Sequence, residues 1–312
     1  MADLMNIIYC SILLEIPSKF YLKKNKKCVF NKKKIAVGEV AYKMEENCVE
    51  LVCTKVGTKV MLTLEHIDGC SFIVTTTPAP TTPAKPKCNY KPFGEKHTMN
   101  LKRNKACKFH RSGVTEEQKQ IILKTHNDLR TKIARGQEKQ GNPGPQPKAT
   151  NMREMVWNDQ LAEVAQAWAE QCAKGHDLMN NRRICDSTYR TVGQNVFNNL
   201  GHADVHLWEN AVKAWYGEVE HMPNTDVSSY QDPPTGIIGH YTQVVWAKTY
   251  EVGCGGIHYT MEKNGVTYPN SKKYICNYGP GGNYNKAKIY EAGKTASKCE
   301  NGKSANYPFL CA

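Results

Sequence analysis

After residue 113, apolar residues recur with the period of an α-helix in four segments. The first segment follows Thr115, a typical helix-capping residue, opens with a glutamate-rich turn and stops at Gly136. The same period predicts further helices over residues 155–172 and 206–222, and a short one over residues 240–249. We therefore expect three full helices and one short helix in this part of the chain.

Alternation of apolar and polar residues predicts β-strands in two regions. Residues 251–261 and 268–279 alternate on either side of Asn264-Gly265, a dipeptide typical of a tight hairpin turn. Three stretches of the N-terminal part alternate in the same way: residues 37–44, 48–53 and 58–64. Helices intermixed with antiparallel strands indicate a layered α+β fold for the larger part of the chain.

A threonine- and proline-rich stretch, TTTPAPTTPAKP, divides the chain of 312 residues into two parts. Alternating Pro and Thr favour an extended backbone, so we predict a semi-rigid linker. The predicted organisation is a signal segment over 1–20, a small cysteine-rich module over 21–74, the linker over 75–87, the main domain over 88–291 and a short tail over 292–312.

The cysteine content and the N-terminus predict a secreted protein. The apolar run from Met5 to Ile16 is too short to span a bilayer and suits a secretory signal, so we do not expect a transmembrane protein. The chain has 13 cysteines, and removal of the segment with Cys10 leaves an even number. Such a set is typical of disulfides formed in an oxidising compartment.

The small N-terminal module holds four of these cysteines: Cys28, Cys48, Cys53 and Cys70. A unit of this size buries too little apolar surface to be stable without covalent or metal cross-links. We therefore predict two disulfides among these four cysteines.

The net charge of +13 is concentrated in one region. Residues 75–113 carry nine Lys or Arg and one acidic residue, whereas the 22 basic and 20 acidic residues after residue 113 nearly balance. We interpret the basic region as a solvated spacer; the alternative is an arm that meets anionic glycans or membrane surfaces. Nucleic acid is not an expected partner, because the sequence shows no nucleic-acid-binding module.

Four polar segments flanked by glycine or aromatic residues are candidates for a pocket. They are GHD with His176, GQN with Gln194, WYGEV with Glu218 and GHYTQ with His240. A single histidine in such a place is more often a structural residue with all its hydrogen bonds made. Spacing alone does not show whether the four segments converge.

Four motifs in fixed order carry a family resemblance: HNDLR (126–130), GQNV (193–196), GHYTQVVW (239–246) and YICNYGPGGNY (274–284). Together they resemble the CAP superfamily of cysteine-rich secretory, antigen 5 and pathogenesis-related 1 proteins, most of all the antigen 5 type of arthropod venom and saliva. The resemblance covers residues 88–291 and implies a three-layer α-β-α sandwich with a central cleft. The N-terminal module resembles a single von Willebrand factor type C module.

The resemblance implies site residues as well. His176 and His240 would be the cleft histidines and Glu218 the helix carboxylate, while Gln194 stands where the family often has glutamate. An amide does not ionise, so this set suits a weakly bound divalent metal such as zinc better than acid–base hydrolysis. Solvent or another group would complete the metal's coordination, and Glu218 would orient an imidazole.

Structural roles follow from the same resemblance. His126, Asn127 and Arg130 match the family's HNxxR motif and would brace the fold by hydrogen bonds. Cys254–Cys276 would join two neighbouring strands. The family pattern further implies Cys107–Cys172 and Cys88–Cys185, and Cys299–Cys311 would then close a short C-terminal tail.

Three functions remain open from the sequence. The first is a non-enzymatic antigen 5-like protein that binds a lipid, a sterol or a host or other extracellular protein, as a venom- or saliva-type allergen or immune modulator. The second is a metal-dependent hydrolase or protease using the His/Glu cleft, which Gln194 and the absence of a nucleophile motif such as GxSxG disfavour. The third is a two-module extracellular adaptor.

Overall fold

The computed structural model divides the chain into two compact units, residues 1–85 and 86–312. The predicted signal segment (1–20) and linker (75–87) lie outside the described residues, which are 27–30, 33–36, 40–44, 49–56, 59–66, 88–185, 189–199, 207–231, 236–263 and 265–312. Within these ranges, no helix has the length and apolar character needed to cross a membrane.

The described part of the N-terminal unit consists of two small antiparallel sheets. β1 (Lys27–Phe30) pairs with β2 (Lys33–Ala36). The second sheet has the order β3 (Val40–Met44), β4 (Val49–Val56) and β5 (Lys59–His66). The three alternating stretches of the sequence therefore form strands, as predicted. Cys48 and Cys70 lie outside the described residues, and only the backbone is described for Cys28 and Cys53, so their pairing stays a prediction.

Four α-helices form among the described residues of the C-terminal unit: α1 (Glu116–Ala134), α2 (Asp159–Ala169), α3 (Leu207–Gly217) and α4 (Gly239–Val244). The predicted cap of α1 is present. The Thr115 hydroxyl accepts from the Gln118 backbone amide, and the Gln118 side-chain oxygen accepts from the Thr115 backbone amide. This reciprocal capping satisfies two donors that a helix start otherwise leaves unpaired.

Three helices are shorter than the periodicity predicts. α2 begins after Asn158, whose side chain caps Leu161, because the two residues before it pair as a strand. α3 passes at Gly217 into a 3-10 turn over Glu218–His221. α4 ends at Val244 rather than continuing to residue 249. At two of these ends a backbone partner distant in sequence replaces the helical hydrogen bond: the Asn158 amide donates to the Val252 carbonyl, and the Ala247 amide donates to the Ile289 carbonyl.

A five-stranded sheet forms the centre of this unit. Its strands are β6 (Phe109–Ser112), β7 (Val156–Trp157), β8 (Gly193–Asn199), β9 (Glu251–Lys263) and β10 (Val266–Gly279). The order is β6-β9-β10-β8, antiparallel throughout, and β7 pairs in parallel with the start of β9. The β9–β10 hairpin agrees with the prediction, whereas β6 and β8 were not predicted.

The sheet lies between two helical layers. On one face α2 packs so closely against β9 that a Cβ on Gly253 would lie 2.2 Å from the Ala162 amide nitrogen, and one on Gly255 would lie 2.3 Å from Gln166 Cα. On the other face α1, α3 and α4 share a core with Tyr274 and other residues of β9 and β10. This is the three-layer α-β-α sandwich that was predicted.

Four disulfides cross-link the C-terminal unit. They are Cys88–Cys185, Cys107–Cys172, Cys254–Cys276 and Cys299–Cys311, the same four pairs that the resemblance implies. Cys254 and Cys276 stand directly opposite each other on β9 and β10. The Cys88–Cys185 bond closes a long loop and fastens the start of this unit beside the segment that carries His176.

Candidate ligand-binding cleft

Two histidines from distant parts of the chain face each other at the surface of the sandwich. His176 lies in the loop that follows α2, and His240 lies in the first turn of α4. Their ring centroids are 6.4 Å apart and the rings are tilted by 31°. The structure therefore places close together the two histidines that the sequence motifs indicated as candidates.

A carboxylate holds the ring of His240. Glu218 Oε1 lies 2.5 Å from His240 Nδ1, and Glu218 Oε2 accepts from the backbone amides of His240, at 2.8 Å, and Tyr241, at 3.1 Å. The same carboxylate thus caps the first turn of α4 and orients the imidazole. Since a carboxylate only accepts, Nδ1 carries the hydrogen, and in the neutral ring the lone pair lies on Nε2.

An amide holds the ring of His176. Gln194 Oε1 lies 2.9 Å from His176 Nδ1, while Gln194 Nε2 donates to Asp177 Oδ1 and to Asn277 Oδ1, both at 3.0 Å. These two acceptors determine which way the amide group is turned, so its oxygen faces the histidine. His176 Nδ1 must then be the donor, and its lone pair also lies on Nε2.

A buried ion pair between Asp177 and Arg182 helps to position the side-chain amide of Gln194. Asp177 is buried, and its Oδ1 forms an ion pair with Arg182 Nε at 2.6 Å. The angle between the two groups does not meet the geometry of a hydrogen bond at Nε. The Thr98 hydroxyl donates to the other carboxylate oxygen of Asp177. Residues of the segment after the linker therefore take part in positioning His176.

The electrostatic surroundings favour the neutral form of His176. Partial burial of the ring lowers its pKa below the usual 6.5, even though the residue as a whole is exposed to solvent. The hydrogen bond to Gln194 acts in the opposite direction, and the nearby Arg182 and His240 lower the pKa further. A neutral imidazole is the form that binds a metal ion or accepts a hydrogen bond.

The donor set fits a metal site with two protein ligands. Each imidazole is fixed through Nδ1 by a hydrogen-bond acceptor, which is how metal-binding histidines are commonly oriented. In the described ranges, no group of three or more His, Cys, Asp or Glu side chains is arranged to hold a metal ion. His176 and His240 would therefore hold such an ion as a pair, with its other ligands coming from solvent or a bound molecule.

His126, also named from the motifs, lies in the core and not in the cleft. Its Nδ1 donates to the Ile122 carbonyl at 2.8 Å, and its Nε2 accepts from the Tyr278 hydroxyl at 2.9 Å. Full burial lowers the pKa of His126 to about 4. This ring is neutral at physiological pH and has a partner on each nitrogen.

The other two residues of the HNxxR motif bind backbone groups. Asn127 exchanges two hydrogen bonds with the backbone of Met155. Arg130 is fully buried and donates to five carbonyl oxygens: those of Arg153, Val244, Trp246, Ala247 and Thr249. Arg130 therefore links α1 to the segment that follows α4.

Sequence reasoning missed three residues that position the site: Asp177, Asn277 and Arg182. Asp177 directly follows His176 in GHD, and Asn277 lies within YICNYG, so both were in quoted motifs. No local pattern marks them, however, because their partners come from other strands and loops.

Comparison with known proteins identifies the family of the chain. Residues 123–278 match the CAP family, described as the cysteine-rich secretory protein family. The venom allergen 5 of Vespula vidua is 45% identical over 188 residues, which span 57% of this chain and 82% of that protein. The chain belongs to the CAP family. The venom allergen 5.02 of Vespa crabro is 44% identical over 183 residues, 58% of this chain and 83% of that protein.

Within the family the chain is an antigen 5-like CAP protein. The crystal structure of Na-ASP-1 superposes with a TM-score of 0.52 at 27% identity, over 64% of this chain and 48% of that one. The predicted family and fold are thereby confirmed for the C-terminal unit.

Proposed function

We propose that this CAP protein is secreted and acts by binding, and that its cleft engages ligands through the Nε2 atoms of His176 and His240. The observation that carries the proposal is the matched orientation of the two rings. Gln194 and Glu218 each occupy an Nδ1, and no hydrogen bond within the described residues occupies either Nε2. Two such imidazoles, 6.4 Å apart between centroids, suit a divalent metal such as zinc.

The metal would be held by His176 and His240. When bound, it would supply a positive centre that attracts an anionic or carbonyl-bearing ligand. Gln194 and Glu218 would keep the two rings in place, and the buried Asp177 would keep Gln194 in place.

The hydrogen bonds of the cleft favour binding over hydrolysis. Both oxygens of Glu218 are engaged, by the His240 ring and by two backbone amides. Gln194 does not ionise and so supplies no second carboxylate. A general base takes up a proton from the reacting group; Gln194 cannot do so, and Glu218 is held as the hydrogen-bond acceptor of His240 and of two backbone amides.

Exposed apolar side chains beside both histidines support a lipid or sterol as the larger ligand. Leu178, two residues after His176, is 69% exposed, and Ile237, three residues before His240, is 65% exposed. We propose a lipid, a sterol or a host protein as the partner of an allergen-like or immunomodulatory protein. Native mass spectrometry after incubation with fatty acids or cholesterol tests whether the protein binds a lipid or a sterol. Spectra without adducts would exclude such a ligand.

The role of the N-terminal unit is a separate proposal. Its resemblance to a von Willebrand factor type C module would make the protein a two-module extracellular adaptor. The division of the chain into two compact units supports this arrangement.

Isothermal titration of the EDTA-treated full chain with zinc chloride tests the cleft proposal. We expect His176→Ala and His240→Ala each to weaken zinc binding about tenfold or more, because loss of even an orienting partner costs about 10 to 100-fold. His110→Ala, an exposed histidine outside the cleft, is the matched control. Unchanged isotherms in both cleft variants would overturn the proposal, as would substrate turnover that disappears in Glu218→Gln.

A further inference from the structure

Six basic side chains lie together on the first segment of the CAP unit. They form the basic strip, defined as Lys102, Arg103, Lys105, Lys108, His110 and Arg111, and all six residues are exposed. The interval 102–111 contains no acidic residue. None of the ion pairs found between described residues involves a member of the basic strip.

The basic strip is anchored to the sandwich. The Cys107–Cys172 disulfide ties its middle to the segment after α2, and Asn104 donates to the Gln171 carbonyl at 2.9 Å. The Arg103 guanidinium lies over the Phe109 ring, 4.9 Å from its centroid. The strip ends in β6, the edge strand, which pairs with β9. The backbone that carries these charges is therefore held in place before any partner arrives, which lowers the entropy cost of binding.

The strip contacts the central sheet through its two residues on β6. Arg111 on β6 stands opposite His258 on β9, and His258 stands opposite Lys272 on β10. His110 Nε2 lies 2.9 Å from the Thr260 hydroxyl on β9. Burial lowers the pKa of His258, and Arg111, Lys272 and His110 lower it further.

On β9 the residue opposite Arg111 is His258, whose lowered pKa favours the neutral ring, so this neighbour does not neutralise Arg111. An anionic partner would neutralise Arg111 and the rest of the basic strip. The nearly balanced charge of the residues after 113 shows that this concentration is local and not a property of the whole unit.

We propose that the basic strip is a binding site for a linear sulfated polysaccharide. The cations follow one another along an edge strand and its lead-in, an arrangement that matches a rod-like polymer carrying many anionic groups. Insertion into a membrane is disfavoured because Phe109, the aromatic residue of the strip, is half-buried beneath Arg103. Single-stranded nucleic acid would call for exposed aromatic rings on which bases stack, and the strip presents none.

The test measures binding of the full chain to heparin over a range of sodium chloride concentrations. We expect the variant with Arg103, Lys105, Lys108 and Arg111 all changed to Gln to bind about tenfold or more weakly at physiological salt. The slope of log affinity against log salt should fall by about 3 to 4, because each lost contact releases about one counterion fewer. Thermal melting by circular dichroism checks that the variant is folded.

A control variant removes the same charge elsewhere on the unit, with Lys139, Lys248, Lys294 and Lys303, all exposed, changed to Gln. We expect this control to keep most of the heparin affinity. Equal losses in the two variants would overturn the proposal, because binding would then follow net charge alone. Tighter binding to phosphatidylserine vesicles or to single-stranded DNA than to heparin would also overturn it.

Discussion

Two polar regions of the CAP unit use histidine in opposite ways. The core brace consists of His126, Asn127 and Arg130 on α1, and the cleft consists of His176, Gln194, Glu218 and His240. In the core brace both ring nitrogens of His126 have partners, the Ile122 carbonyl and the Tyr278 hydroxyl. Among the described residues, each imidazole of the cleft has a hydrogen-bond partner at Nδ1 only.

This difference separates a structural role from a binding role. A polar group buried in the core costs free energy unless every donor and acceptor is paired, so a fully bonded histidine serves the fold. A ring at the surface that is held through one nitrogen keeps its other nitrogen for solvent or a ligand. Both regions are marked by sequence motifs, and only the hydrogen bonds tell them apart.

The largest effect should come from Arg130→Lys in the core brace. Lysine lacks the planar fork that reaches five carbonyl oxygens. The free energy of unfolding should fall by about 3 kcal/mol or more, because several buried acceptors lose their donors. Urea unfolding measures it, with Arg135→Lys at the exposed end of α1 as the control. A loss no greater than that of the control would contradict the assigned role of Arg130.

A somewhat smaller effect should come from titration of the buried His126. Its pKa is about 4 in the folded protein against 6.5 for the ordinary group. As the pH falls below 6.5 the unfolded chain takes up the proton first, so stability is lost between pH 6.5 and 4. The loss should total about 3 kcal/mol, since one pKa unit corresponds to about 1.4 kcal/mol.

Urea unfolding of the wild type and of His126→Gln between pH 8 and 4 measures this contribution. The variant should lack this part of the dependence of the unfolding free energy on pH. Between pH 7 and 8 the two proteins should show the same dependence, because His126 is neutral in both the folded and the unfolded wild type. Parallel pH profiles of the two proteins would show that His126 is not the titrating group.

The smallest effect on stability should come from Gln194→Glu in the cleft. A glutamate still accepts from His176, but it loses the two bonds that Gln194 Nε2 donates to Asp177 and Asn277. We expect a loss of about 1 to 3 kcal/mol together with a raised pKa of His176, because a carboxylate favours the protonated ring.

NMR titration of the His176 ring and urea unfolding test these two effects together, with Gln194→Met as the control that removes the amide without adding charge. A Gln194→Glu variant as stable as the wild type would contradict the proposed importance of the two hydrogen bonds that the Gln194 amide donates.

Local patterns predicted much of the fold. Thr115 and the glutamate-rich turn after it placed the start of α1, and the alternation around Asn264-Gly265 predicted the β9–β10 hairpin. Strand β8 was missed because GQNVFNN contains four Asn or Gln side chains and shows little apolar alternation. Two of those side chains, Gln194 and Asn195, are nevertheless buried, and each bonds to other polar groups of the protein.

The family, the capped helix and the hairpin follow from the amino-acid sequence alone, because each depends on residues close together in the chain or on a fixed order of short segments. Tertiary structure alone decided the roles of the polar residues. Gln194 orients His176 because β8 pairs with β10 in the register that sets Gln194 opposite Asn277. Arg111, His258 and Lys272 form one row for the same reason: strand pairing brings together side chains that no local pattern connects.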